Sequence, residues 1–220
     1  MQRAHMIRRV SGPYNLNTYF LICKQTGESV IIDPGGSAKT LTTFIKEQGI
    51  TPIKILNTHG HADQFFSTEE FKKMYPVPSC LHAEDDRFFK DPEVQEKTRN
   101  AVGLPPPYPA DIELADKDVI EFGETNLAVI HTPGHTPGSV CFLCEDHLFT
   151  GDAIFVGEAG RTDLPGGNLD QLIDSIKTRI LPLDKKTIIH PGHHHGEEFE
   201  STIEREMKEN IYITDFILDG

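Results

Sequence analysis

The segment Thr58-His59-Gly60-His61-Ala62-Asp63-Gln64 constrains this chain more than any other stretch. Two histidines and a carboxylate recur at alternate positions directly after the largely apolar run Ile53-Lys54-Ile55-Leu56. A short buried strand ending in such a cluster aims several side chains at one point. Imidazole nitrogen and carboxylate oxygen are the donors that zinc or iron accepts from a protein. A fold that accommodates this segment therefore needs a rigid strand end here, and partner donors from elsewhere in the chain.

Three other predicted strands end the same way. After residues 127–132 comes Pro133-Gly134-His135-Thr136-Pro137-Gly138, after 147–150 comes Gly151-Asp152, and after 187–190 comes Pro191-Gly192-His193. In each, a small residue precedes one with a metal-competent side chain. Glycine there lets the backbone turn tightly, and loops mounted on rigid elements are where binding groups concentrate.

The remaining pattern is strand-rich, with helices following. Residues 19–23 and 29–32 read as a hairpin turning at Gln25-Thr26-Gly27, followed by the breaker Asp33-Pro34-Gly35-Gly36. Ser37 is positioned to cap a helix running to about Gln48, with Leu41, Phe44 and Ile45 on its apolar face. Ser67 with Glu70 forms a capping-box pattern before a helix ending near Tyr75. Residues 83–100 read as a charged helical stretch, and 102–109 as a Pro-rich loop over the site. In the second half, 119–122, 127–132, 139–143, 147–150 and 187–190 read as strands, with helices at 169–180 and after Ser201, where Glu204 completes a second capping pattern. Two β-rich halves, each followed by helices, suggest two packed sheets with helices outside.

Composition narrows the function. At 220 residues, with 37% hydrophobic and 25% charged residues, the chain reads as one soluble globular domain. A formal charge of −13 opposes binding to phosphate backbones and to anionic membrane surfaces. Residues 1–10 lack the apolar core of a signal peptide, and no run approaches the roughly 18 apolar residues that span a bilayer. The expected setting is cytoplasmic, with a small-molecule substrate and no nucleic acid or membrane partner; oligomeric state is left open. Cys141 and Cys144 make a C-x-x-C spacing, but residues three apart on a strand point to opposite faces. These two, Cys23 and Cys80 are read as buried structural thiols. His82, His131 and His190 are expected to be hydrogen-bonded, His5 and His147 to be solvated, Arg161 and Asp163 to pair, and the acidic stretch 197–206 to be a solvated helix face.

The motifs in their order resemble the metallo-β-lactamase superfamily, particularly its small glyoxalase II-like hydrolases. The resemblance rests on Thr58-His59-Gly60-His61-Ala62-Asp63, Thr132-Pro133-Gly134-His135, Thr150-Gly151-Asp152 and Pro191-Gly192-His193. Residues 160–167 (Gly-Arg-Thr-Asp-Leu-Pro-Gly-Gly) and Glu206 with Asn210 add to it, so that it spans nearly all of residues 1–220. It implies one domain of the α+β class, a four-layer αββα sandwich. It also implies that His59, His61 and His135 hold a first metal, that Asp152 bridges two metals, and that Asp63 and His193 serve the second. Gln64 stands where that family carries another histidine. An amide oxygen is a poorer transition-metal donor than imidazole, so the second site is expected to be weaker, reshaped or empty.

The resemblance further implies one or two zinc ions, with iron or manganese as alternatives. The expected activity is metal-dependent hydrolysis, in which a hydroxide on the metal attacks an ester or thioester and Asp63 orients it or takes its proton. A second reading is a mononuclear non-haem iron enzyme like the persulfide dioxygenases, with His59, His135 and Asp152 as its facial triad. Leu164-Pro165-Gly166-Gly167 matches the hydrolase-like loop better. A third is a metal-binding protein without catalysis. Full-length glyoxalase II proteins carry an added C-terminal helical region that helps hold glutathione, whereas this chain ends at Gly220. A glutathione thioester thus stays open as substrate without visible residues to bind it.

Overall fold

Strand side chains alternate between two faces, and residues 16–32 carry apolar groups on both. Tyr19, Leu21 and Cys23 pack one way, while Phe20 and Ile31 pack the other. Such a sheet has to be covered on both sides, and this requirement builds the layers. The computed structural model describes residues 3–102, 109–193 and 198–218.

The first sheet runs in spatial order β1 (Ala4–Ser11), β2 (Leu16–Cys23), β3 (Glu28–Ile32), β4 (Thr51–Leu56), β5 (Ser79–His82) and β6 (Ile112–Leu114). Its first three strands pair antiparallel and the rest parallel. Parallel neighbours need crossovers, and these carry α1 (Ala38–Gln48), α2 (Thr68–Met74), α3 (Ala83–Phe89) and α4 (Pro92–Val102). The second sheet contains β7 (Val119–Phe122), β8 (Thr125–His131), β9 (Val140–Cys144), β10 (His147–Gly151), β11 (Ile188–Pro191) and β12 (Ser201–Thr202), side by side in that order. Its pairs are antiparallel except β10 with β11. Helices α5 (Leu169–Ser175), α6 (Ile203–Glu209) and α7 (Ile211–Ile213) follow its strands.

Three apolar clusters define the layers. Between the sheets lie Tyr19, Leu21, Val30, Ile32 and Leu56 from one side and Phe122, Leu127, Val129, Phe142 and Phe149 from the other. Leu41, Phe44 and Ile45 of α1 and Phe71 of α2 cover Phe20, Ile31 and Ile55 on the first sheet's outer face. Leu172, Ile176, Ile203 and Ile213 cover Cys141, Leu148 and Ile189 on the second's. The result is the expected four-layer αββα sandwich. Cys141 sits under the helices and Cys144 between the sheets, on opposite faces as the strand period requires, and all four cysteines are buried free thiols.

Several local expectations are corrected. Strand β1 was not anticipated, because Arg8 and Arg9 break its apolar alternation. The guanidinium of Arg8 lies 3.5 Å from the Phe199 ring centroid, and that of Arg9 lies 4.1 Å from the Phe44 centroid. Strands β5 and β6 are too short for a period to show. The charged stretch 83–100 divides into α3 and α4. Ser37 and Ser67 occupy cap positions without side-chain caps; the Ser67 hydroxyl donates to the Gly36 carbonyl instead. Ser201 belongs to β12, and Thr202 caps α6 by accepting from the Arg205 amide at 3.2 Å. His147 is not solvated: its Nδ1 lies 2.8 Å from His190 Nε2. The expected loop over the site falls mostly on residues 103–108, outside the described residues. Among the described residues no helix is long and apolar enough to cross a membrane.

Phe142 is fully buried between the sheets. Phe142→Ala is therefore expected to lower stability by about 3–5 kcal/mol, whereas Val119→Ala, at a 59% exposed edge position, should change it by about 0.5 kcal/mol or less. Urea denaturation of both variants checks the layer assignment.

Candidate metal centre

Four strands of the two sheets end at one place. His59 and His61 follow β4, His135 follows β8, Asp152 follows β10 and His193 follows β11. Each side chain thus leaves the carboxyl end of a paired strand, and the loop carrying it is short.

Ligand atoms of His59, His61 and His135 all lie within 4.8 Å of one another. His61 Nδ1 and His135 Nε2 are 2.9 Å apart, and His135 Nε2 and His59 Nε2 are 3.2 Å apart. Burial, reinforced by the neighbouring imidazoles, holds His59 well below the ordinary histidine pKa and lowers His61 to about 3. The rings of His59 and His61 are therefore neutral, with lone pairs available. A tetrahedral ion with bonds of about 2.0–2.1 Å separates its nitrogen ligands by about 3.3 Å, so this spacing and chemistry fit a divalent cation.

A second group adjoins the first. Asp152 Oδ2 lies 3.5 Å from both His135 Nε2 and His193 Nε2, between the two groups. His193 Nε2 also faces Asp63 Oδ2 at 3.2 Å and the Gln64 amide at 3.3 Å. Burial alone would lower the His193 pKa, but the Asp152 and Asp63 carboxylates outweigh it and raise it to about 10. Two carboxylates converging on one imidazole demand a positive charge, whether proton or metal. All seven residues singled out in the sequence, His59, His61, Asp63, Gln64, His135, Asp152 and His193, come together here. His194 and His195, which adjoin His193, lie outside the described residues.

Ring orientation is set by the nitrogen that faces away from the centre. The Nδ1 atom of His135 lies 2.7 Å from the Arg161 carbonyl, and that of His193 lies 3.0 Å from the Tyr14 carbonyl. A carbonyl can only accept, so each Nδ1 carries the proton and each Nε2 is left as the donor atom for a metal. His59 Nδ1 meets the Thr58 hydroxyl at 3.1 Å. That hydroxyl and the Thr58 amide both donate to Asp33, each at 2.8 Å. Asp33 is wholly buried, which pushes its carboxyl up to about 8, and its backbone is left-handed with φ of 50°.

A second buried carboxylate ties two metal-facing loops together. Asp85 of α3 accepts from the Gly60 amide at 2.7 Å, the Thr136 hydroxyl at 2.6 Å and the Gly138 amide at 2.6 Å. Burial raises it to about 6. Space around Asp152 is set by glycine. A Cβ on Gly160 would sit 1.7 Å from the Asp152 carbonyl, and one on Gly192 would sit 2.5 Å from Asp152 Oδ1. Neither Asp33 nor Asp85 was legible as part of the site. The first reads as a turn breaker, and the second is hidden in a charged helix.

The centre forms the floor of a cleft of about 390 Å³, walled by Tyr14, Phe155, Glu158, Arg161 and Leu164. Arg161 pairs with Asp163 through two 2.7 Å hydrogen bonds, as expected. Glu206, expected on a solvated face, is buried. It accepts from the Gly157 amide at 2.9 Å and from Asn210 Nδ2 at 2.8 Å, while Asn210 Nδ2 also reaches the Glu158 carbonyl at 3.0 Å. Helix α6 thereby braces the cleft wall. His131 and His82 are hydrogen-bonded, the first to the Pro137 carbonyl and the second to the Glu84 amide.

Comparison with known proteins agrees with this geometry. The sequence pattern of the metallo-beta-lactamase superfamily matches residues 12–193. The chain is 33% identical over 209 residues to the probable metallo-hydrolase YqgX of Bacillus subtilis, covering 94% of this chain and 96% of that one. It is 34% identical to the hydroxyacylglutathione hydrolase GloC of Haemophilus influenzae, covering 88% and 91%. It is 30% identical to the mitochondrial persulfide dioxygenase ETHE1 of Bos taurus, covering 95% and 76%. Among solved structures, TTHA1623 in a di-iron-bound form superposes with a TM-score of 0.80 at 31% identity, covering 94% and 99%. The chain belongs to the metallo-beta-lactamase superfamily.

Proposed function

We propose that this chain is a metal-dependent hydrolase of small esters or thioesters. The observation that carries the reading is the convergence of three imidazole nitrogens with Asp63, Asp152 and His193 on the floor of an open cleft. His59 Nε2, His61 Nδ1 and His135 Nε2 would hold one divalent cation, with Asp152 reaching it from the side. When bound, such a cation polarises a carbonyl and brings the pKa of a water near neutrality. Zinc, iron and manganese all suit this mixed nitrogen and oxygen set.

The chain's own residues supply the rest. The carboxylate of Asp63 faces the cleft, and its pKa is lowered: His193 outweighs the opposing effect of burial. It is therefore ionised at neutral pH and able to orient a water and take its proton. Tyr14, Phe155 and Leu164 shape an apolar wall for the acyl group. Among the described lining residues Arg161 is the sole Lys or Arg, and Asp163 already occupies its fork. The described cleft thus offers little to an anionic substrate tail, which favours a compact acyl thioester over one defined by a glutathione carboxylate. The resemblance to GloC supports thioester cleavage as the chemistry.

A second reading is favoured by Gln64 and by the 30% identity to a persulfide dioxygenase: a single iron on His59, His135 and Asp152, acting in oxidation. Elemental analysis of protein purified without added metal separates the two. One iron per chain with persulfide-dependent oxygen uptake would sink the hydrolase. Zinc or mixed metals with thioester cleavage would sink the dioxygenase.

Two outcomes follow for the hydrolase. His135→Ala should strip most of the bound metal and lower kcat/KM for a short acyl thioester by about a thousandfold, given the several kcal/mol that such an ion contributes; chelation should do the same reversibly. Asp63→Asn should lower kcat by about a hundredfold or more while the metal bound at the three histidines stays constant. Both are read by thioester hydrolysis alongside metal content. Unchanged kcat in Asp63→Asn would remove it from proton transfer.

A further inference from the structure

The cleft holds one carboxylate that the metal centre does not engage. Asp63 Oδ2 and Asp152 Oδ2 both face His193 Nε2, and Asp163 is taken up by the fork of Arg161. Glu158 lines the same cleft, and among the described residues its side-chain oxygens meet no donor and no cation. Its charge stands uncompensated beside a wall that otherwise presents Tyr14, Phe155 and Leu164.

The root of this side chain is fixed. The loop that carries it leaves from Asp152 and returns to it: Ile154 and Ala159 pair across the loop, and the Gly160 amide donates to the Ala153 carbonyl at 3.5 Å. The Glu158 carbonyl accepts from the Phe155 amide at 2.9 Å and from Asn210 Nδ2 at 3.0 Å. Phe155, on the same turn, is buried, with its ring centroid 6.4 Å from that of His193. The backbone therefore cannot swing, and the carboxylate is offered from a rigid turn beside the centre. A group held in this way orients what it binds instead of following it.

We infer that Glu158 is a specificity-determining residue that receives a primary ammonium on the acyl chain of the substrate, so that the thioesters cleaved here are amino-bearing. A carboxylate without a partner accepts charge-assisted hydrogen bonds from an ammonium. No described lining residue selects the opposite sign, because Asp163 already neutralises Arg161. The formal charge of −13 acts in the same direction, drawing cations toward the cleft and repelling anions. A neutral chain of the same shape gains only the apolar wall, and a carboxylate-bearing chain meets like charge. The acyl half is assigned because Glu158 shares its turn with Phe155 of that wall. This inference rests on the thioester hydrolysis proposed above and adds the substrate class to it.

The test measures kcat/KM of the metal-loaded protein for β-alanyl and ε-aminocaproyl thioesters of N-acetylcysteamine against their neutral isosteres, butyryl and heptanoyl. The readout is the ratio within each pair, which cancels any loss common to both substrates. The unaltered protein should favour at least one amino-bearing thioester by about fivefold or more, and the ratio should shrink as salt is raised. Glu158→Gln should bring that ratio to about one, and Glu158→Lys should invert it. No preference in the unaltered protein, or a preference that survives Glu158→Gln, would overturn the inference and spare the proposed function. A Glu158-dependent preference found only for acetylthiocholine over its uncharged carbon isostere would overturn the assignment to the acyl half. Cleavage of neither the charged nor the neutral thioesters would overturn both the inference and the proposed function.

Discussion

Taking a carboxyl group out of water has a cost that hydrogen bonds offset only in part, and this chain buries two of them beside its histidine cluster. Asp33 and Asp85 are both fully buried. Their acceptors are filled by groups of the metal-facing loops: the amide and hydroxyl of Thr58, the amides of Gly60 and Gly138 and the hydroxyl of Thr136. Each carboxylate can be satisfied only when those loops stand in one arrangement. The same arrangement brings the nitrogens of His59, His61 and His135 within reach of one ion. The geometry of the centre is thus enforced by groups that never touch the metal position.

The sandwich makes this economy possible. Asp33 lies at the end of β3 beside the parallel strand β4, so its carboxylate reaches the first residues after Leu56 without a long loop. Asp85 enters from α3, on the crossover after β5, and links a loop of the first sheet to the one that follows β8 in the second. Asp152 is admitted by the absence of side chains at Gly160 and Gly192. Further bracing comes from Asn17 Nδ2 and the Tyr19 hydroxyl, which donate to the Pro191 carbonyl at 2.9 and 2.7 Å, just ahead of His193. Ligand-bearing loops on two sheets are held across the interface by hydrogen bonds rather than by length of contact.

Legibility in the sequence followed the range of the interaction. The ligand-bearing strand ends were visible because glycine followed by histidine or aspartate after an apolar run is a local signal. Two β-rich halves, each followed by helices, foretold two packed sheets with helices outside, and the Cys141 and Cys144 spacing foretold their placement on opposite faces. Capping was misread at Ser67 and Ser201, because the spacing of a serine from a glutamate does not show where the folded chain places that serine. Gly36 claimed one, and β11 claimed the other's strand. Glu206 was misread for the same reason, since a carboxylate in an acidic stretch looks solvated until Gly157 and Asn210 are brought to it.

Local pattern was enough to name the available atoms: four imidazoles, two aspartates and one amide on short strand-end loops, and the apolar strands that carry them. Which nitrogen of His135 and of His193 turns inward is a product of folding, because it depends on where the distant carbonyls of Arg161 and Tyr14 accept the ring proton. Folding also decided that Gln64 faces His193 and the two carboxylates, and that Asp33 and Asp85 belong to the centre. Those relations join residues tens of positions apart, and no local pattern encodes a distance that folding alone creates.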